Sequence, residues 1–240
     1  MCLTCGCGDV ATETVDVEER LLAKNDDLAR HVRASLAERD ITAFNLMSSP
    51  GAGKTSLLER TIADLGARHT LCVVEGDQET SFDADRIRRA GARAVQVNTG
   101  AGCHLDAQMV HQALHDLDPP VGSLLFVENV GNLVCPALFD VGERAKVVVV
   151  SVTEGDDKPL KYPHMFRVAD LVVVNKTDLL PYVDFDVDRL ADQARALSPG
   201  VEVLPLSVRT GESVDAWYAY LEDVVTGDRR GDRRGAAVGS

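Results

Sequence analysis

The sequence predicts an α/β fold, a doubly wound, mostly parallel sheet with helices on both faces. Three observations predict it. Apolar runs alternate with helical patterns through the middle of the chain. The run Val147-Val148-Val149-Val150 is apolar on both faces, as a strand covered by helices on both sides must be. The first apolar run, 41–47, ends in a turn of small residues before a helix start, and in such sheets ligands sit beyond the carboxyl ends of the strands.

Taken in order, a helical pattern spans 15–40, where Val17, Leu21, Leu22, Leu28, Val32 and Leu36 recur at three- and four-residue steps among charged neighbours. It reads as a packing helix, with His31 on its surface. Strands are expected at 41–47, 71–75, 94–98, 123–128, 146–152, 171–175 and 201–207, and helices at 54–65, 83–90, 105–117, 186–197 and 213–225. Three segments follow: a flexible metal-binding tail at 1–14, a nucleotide-binding domain at 15–226, and a tail at 227–240. In that last tail Asp-Arg-Arg-Gly recurs with no apolar face to bury, which predicts disorder.

The chain has 240 residues, 45% of them hydrophobic, enough to bury a full core. No stretch approaches the roughly 18 apolar residues of a membrane span, and no charged-then-apolar leader opens the chain, so a soluble cytoplasmic protein is expected. A net charge of −13 argues against nucleic acid as a partner, because a duplex reader needs a concentrated basic face.

Ser48-Ser49-Pro50-Gly51-Ala52-Gly53-Lys54-Thr55-Ser56 reads as a phosphate-binding loop, which makes the fold a P-loop one. Backbone N–H groups of the loop, from Gly51, Ala52, Gly53 and Ser56 among others, converge with the helix N-terminus on one anion site. Lys54 reaches the β- and γ-phosphates, Thr55 places its hydroxyl on Mg2+, and the glycines allow positive φ. The pattern G-x-x-x-x-G-K-[ST] wants glycine where this chain has Ser48. Asp77 and Glu128, both at strand ends, are candidates to order magnesium or the attacking water. Gly131, three residues after Glu128, has the spacing of a switch glycine that meets a γ-phosphate. Arg86, Arg88 and Arg89 are arginine-finger candidates by proximity alone.

Asn175-Lys176-Thr177-Asp178 closes a strand. An aspartate there accepts from both N1–H and the exocyclic amine of guanine, a donor pair that adenine lacks, so GTP and GDP are the expected nucleotides. Ser207 in Ser207-Val208-Arg209-Thr210-Gly211 resembles a last, backbone-mediated guanine contact.

Six cysteines stand at 2, 5, 7, 72, 103 and 135. Cys2, Cys5 and Cys7, with glycines between them, can wrap one soft ion, and the terminal amine could complete a planar N/S site of the kind Ni2+ favours. Cys103-His104 and Cys135 each follow a strand end on the same rim and would give a Cys2His set suited to Zn2+ or Ni2+, with a position open to another subunit. Cys72 lies in an apolar strand and reads as structural. His111 and His115 read as surface.

Together these motifs resemble the hydrogenase nickel-insertion GTPase family, HypB, over residues 1–226. The resemblance is carried by Cys2-x-x-Cys5-Gly6-Cys7, Ser49 to Thr55, Glu75-Gly76-Asp77, Val97-Asn98-Thr99-Gly100 leading to Cys103-His104-Leu105-Asp106, Glu128-Asn129-Val130-Gly131-Asn132-Leu133-Val134-Cys135-Pro136, and Asn175-Lys176-Thr177-Asp178. It implies a cytoplasmic GTPase that dimerises with nucleotide, binds nickel and also zinc, and loads nickel into the hydrogenase large subunit with a partner metallochaperone. Some members carry a histidine-rich stretch after the N-terminus, whereas residues 9–16 here contain no histidine. Two other readings are a urease-type nickel GTPase, whose Cys-Pro-His run is replaced here by Cys135-Pro136-Ala137, and a small-molecule kinase or ligase on the same fold.

Overall fold

The computed structural model describes residues 9–77, 82–100 and 102–227, with side chains from Glu19 onward. The expected metal-binding residues Cys2, Cys5 and Cys7, and all of the expected C-terminal tail beyond Gly227, lie outside the described residues.

Seven strands form one sheet: β1 (Thr42–Ser48), β2 (Leu71–Asp77), β3 (Arg93–Asn98), β4 (Leu124–Glu128), β5 (Ala145–Ser151), β6 (Leu171–Asn175) and β7 (Glu202–Pro205). Their order is β3-β2-β4-β1-β5-β6-β7, and every neighbouring pair is parallel, so the sheet is wholly parallel and not merely mostly so. The chain winds outward from β1 on one side, then crosses to the other at β5. Ligand crevices in such sheets open at the rim where that reversal occurs.

Helices cover both faces, and successive residues of each strand alternate between them. Phe44 and Leu46 of β1, Phe126 of β4 and Val147 and Val149 of β5 pack under α2 (Lys54–Leu65), α3 (Phe82–Ala90) and α8 (Val214–Thr226). On the opposite face Ala43, Val74, Leu125 and Val127 meet α1 (Asp9–Glu38) and α4 (Ala107–Leu117). Farther along, Met47, Val148, Val150 and Val172 meet α6 (Pro163–Val168) and α7 (Val187–Leu197). Two-sided burial is why these strands read as unbroken apolar runs.

Asp106 and Asp186 cap α4 and α7 by accepting from Met109 N and Arg189 N, which is why each helix begins one or two residues later than its apolar pattern suggests. The first helix begins at Asp9, six residues ahead of the expected Val15. Two short helices, α5 (Lys158–Lys161) and α6, went unpredicted, being four and six residues long with Pro159 and Pro163 in their first turns. Such lengths leave no room for a helical period to show. Among the described residues no helix is long and apolar enough to cross a membrane.

Trp217 of α8 is the largest fully buried side chain, and its indole N–H donates to Thr61 Oγ1 at 2.9 Å while that hydroxyl donates to Leu57 O at 2.7 Å. Trp217→Ala should therefore remove both packing and a buried hydrogen bond, lowering unfolding free energy by about 3–5 kcal/mol in a denaturant titration.

Candidate functional site

β1 ends at Ser48 and α2 begins at Lys54, and the intervening turn needs unusual backbone at two glycines, Gly51 with φ +76° and Gly53 with φ +105°. A Cβ on Gly53 would stand 2.4 Å from Asn175 Nδ2. That amide donates to Ala52 O at 3.0 Å, and Lys176 Nζ donates to Gly51 O at 2.7 Å, so the end of β6 carries the turn from beneath. Ser48, where the motif expects glycine, is fully buried. Its hydroxyl donates to Ser49 O at 2.6 Å and accepts from Lys54 Nζ at 2.8 Å. Burial lowers the Lys54 ammonium pKa, opposed by the charges of Glu128, Asp83 and Glu75.

Thr55, on the first turn of α2, donates through Oγ1 to Glu128 Oε1 at 2.6 Å, while Glu128 Oε2 is buried without a partner. A second carboxylate, not singled out by the sequence, stands beside it. Glu75 of β2 is the register partner of Glu128 of β4, is 3% exposed, and also leaves Oε2 buried and unpartnered. Burial, and then the neighbouring Glu128 and Asp77 carboxylates, push Glu75 up to about 8. Burial also raises Glu128, against the pull of Lys54 and the Thr55 hydroxyl. Asp77 lies at the rim, half-buried.

These groups line one cavity of about 490 Å³, together with Pro50, Asp83, Arg86 and Gly131. Gly131 passes so close to the loop that a Cβ there would meet Pro50 atoms at 3.0–3.1 Å. Of the three arginines, Arg86 alone lines the cavity, and it is held by Glu59 Oε2 at 2.6 Å and Asp83 Oδ1 at 2.9 Å. Arg88 bonds to Asp85 and Ala94 O, and Arg89 to Asp85 O, so both are turned toward their own helix or the following strand.

A second pocket of about 340 Å³ opens beside the first, lined by Gly53, Ser56, Asn175, Lys176, Asp178, Leu179, Val208 and Arg209. Ser207 is buried, and its hydroxyl donates to Asp178 Oδ1 at 2.6 Å, so its side chain orients that carboxylate. Val208 N donates to Asn175 Oδ1 at 3.3 Å, tying the β7 loop to β6.

The thiol cluster forms as expected. Cys103 Sγ lies 2.7 Å from Cys135 Sγ and 3.7 Å from His104 Nδ1, and the ligand atoms of all three residues fall within 4.8 Å of one another. It is the only group of three such ligands among the described residues. The neighbouring Cys103 thiol, then burial, raise Cys135, and burial lowers the His104 pKa against the pull of Asp106. Neutral imidazole is the form that can ligate a metal. The His104 ring stacks on Phe139 with centroids 3.9 Å apart, and Asn132 Nδ2 donates to Cys103 O at 3.3 Å. Asn129, directly after Glu128, accepts Leu105 N at 2.9 Å, which joins the loop of the thiol cluster to the end of β4. Cys72 is buried in β2, and His31, His111 and His115 are exposed, as expected.

The model of the CobW/HypB/UreG nucleotide-binding domain family matches residues 42–205. The hydrogenase maturation factor HypB of Rhizobium leguminosarum bv. viciae is 57% identical over 208 residues, spanning 87% of this chain and 70% of that protein. The chain belongs to the HypB family. HypB of Archaeoglobus fulgidus shares its structure with a TM-score of 0.79 and 41% identity, covering 85% of this chain and 99% of that one. HypB of Helicobacter pylori, solved in complex with nickel, gives 0.80 and 38%, with 86% and 97% covered. Within this HypB sheet the steric demand at Gly53 makes a sharp test: Gly53→Ala should lose about 1–3 kcal/mol of stability, read as a lowered thermal midpoint, because both φ and Asn175 oppose a methyl group.

Proposed function

We propose that the protein is a cytoplasmic GTPase and nickel metallochaperone, which acts as a homodimer and delivers nickel to the hydrogenase large subunit together with a partner metallochaperone. The observation that carries the nucleotide half is the Asn175–Asp178 segment: the same strand end supports the phosphate loop through Asn175 and faces the adjoining pocket with Asp178. Asp178, oriented by Ser207, would accept from guanine, while Lys54 and the loop amides of Gly51, Ala52, Gly53 and Ser56 would hold the phosphates and Lys176 would brace the loop.

The donor set fits magnesium. Thr55 and Glu128 are joined, and Glu75 and Glu128, which line the cavity, each keep a buried oxygen without a partner, which suits a hard divalent cation. Thr55 and Glu128 would hold it, with Asp77 at the rim, and when bound it would neutralise charge developing on the phosphates. The chain's own part is positioning: Lys54, fixed by Ser48, faces the phosphates, and Gly131 offers its backbone where the γ-phosphate would lie. No covalent intermediate is needed. Arg86 is already engaged by two acids, so slow intrinsic turnover follows.

Cargo metal would bind at two places. Cys103, His104 and Cys135 supply two sulfurs and a nitrogen for zinc or nickel, and Cys2, Cys5 and Cys7 would form a separate nickel site. Against the urease-type reading stands the turn Cys135–Ala137, which has alanine where that family's motif has histidine.

Base recognition is tested by Asp178→Asn, which should weaken GTP on the order of 10²-fold and improve xanthosine nucleotide binding. ATP should fail to displace GTP from the wild type, and unchanged GTP affinity in the variant would remove Asp178 from the site. A second expectation concerns coupling. The loop from Glu128 to Cys135 serves both sites, so metal affinity in a variant lacking Cys2, Cys5 and Cys7 should differ at least about fivefold between GDP and a non-hydrolysable GTP analogue. Identical titrations would mark the inner site as static.

A further inference from the structure

We infer that Glu75 is a magnesium-positioning residue of the nucleotide site: standing abreast of Glu128, it supplies the second carboxyl group against which the divalent cation that accompanies the nucleotide is held. This rests on the nucleotide reading of the cavity and deepens it.

Three features of the residue carry the inference. Glu75 and Glu128 are register partners on adjacent parallel strands, so neighbouring backbones fix both side chains on the same rim. Each buries one oxygen, Oε2, with no hydrogen-bond partner. Both line the cavity that also presents Lys54 and Thr55. A carboxylate oxygen taken out of water without a partner costs several kcal/mol, and two of them side by side repel as well. Lys54 offsets part of the pair's charge, but its Nζ donates to Ser48 Oγ, and the Oε2 oxygens of both carboxylates are left without a hydrogen-bond partner. An interior acceptor kept for folding would be satisfied by a donor. Glu75 instead lines the cavity with Oε2 buried and unpartnered, and a divalent ion or the waters it carries would satisfy both carboxylates at once.

The backbone at Glu75 is held for this purpose. The next residue, Gly76, lies under Leu105, whose side-chain atoms would stand 2.7–3.0 Å from any Cβ there. Asp77 is a poorer candidate for the same position, because it sits half-exposed at the rim. Glu75 acts through the ion and not on the reacting atoms.

The experiment measures GDP affinity of the full chain by fluorescence, once with excess magnesium and once in EDTA, for wild type, Glu75→Gln and Glu75→Asp. Magnesium should tighten GDP binding to the wild type, and that tightening should shrink tenfold or more in Glu75→Gln, with Glu75→Asp in between. In EDTA the Gln variant should bind GDP as well as wild type, since Glu75 acts only through the ion. At pH 9, above the value of about 8 to which burial pushes Glu75, the thermal midpoint of the nucleotide- and metal-free Gln variant should rise by about 2–4 °C, because an amide removes the buried charge and can donate to Glu128. An unchanged magnesium effect in Glu75→Gln overturns the inference alone, and so does a lowered midpoint of the empty variant, which would make Glu75 an internal acceptor of the fold. A wild type that binds no GDP in either buffer overturns the nucleotide reading and the inference together.

Discussion

With all seven strands running the same way, every strand's carboxyl end falls on one rim, and the polar groups that end the central strands are brought close together there. The rest of the structure depends on that constraint. Ser48, Glu75, Glu128 and Asn175 come from β1, β2, β4 and β6, yet all border one phosphate-loop region. Their strands are apolar on both faces, so the helices bury them completely and leave only these ends to carry charge. The concentration of carboxylates there is thus a product of topology and not of local sequence.

Much of this was legible before any coordinates. Seven apolar runs gave seven strands, and 54–65 gave a helix to the residue, because a two-sided core leaves unmistakable valine and leucine runs and because Gly53 ends the turn cleanly. Lys54, Thr55, Glu128, Asp178 and the Cys103–His104–Cys135 set all lie where their motifs implied. Glu75 was read as the end of a strand and as part of the Glu75-Gly76-Asp77 motif, but was given no role, which fell to Asp77 and Glu128. Sequence shows that a strand ends in an acid, but only the register of β2 against β4 shows that the acid lies beside Glu128. Likewise nothing in the sequence reveals that Arg86 is engaged by Glu59, 27 residues away.

The thiol cluster and the cavity are joined by a short covalent path and by the amides of Asn129 and Asn132. Asn129 follows Glu128, donates to Asn45 Oδ1 at 3.3 Å in the middle of β1, and accepts from Leu105 and Val130. Leu105 in turn presses on Gly76 beside Glu75. A shift of the β4 loop therefore meets the cysteine loop at two hydrogen bonds, to Leu105 N and to Cys103 O, while Leu105 carries a steric contact on to β2. Close-packed contacts of this kind pass displacement on with little slack.

The hydrogen bond between Ser48 and Lys54 bears on what ordering a side chain around an anion would cost. A free lysine side chain explores many rotamers, and freezing them costs on the order of 1.5–2 kcal/mol. Here the glycine expected by the motif is replaced by a residue whose hydroxyl already holds the ammonium inside a buried pocket. The loss of side-chain freedom is thus borne when the chain folds, and an arriving anion meets a donor whose direction is set in advance.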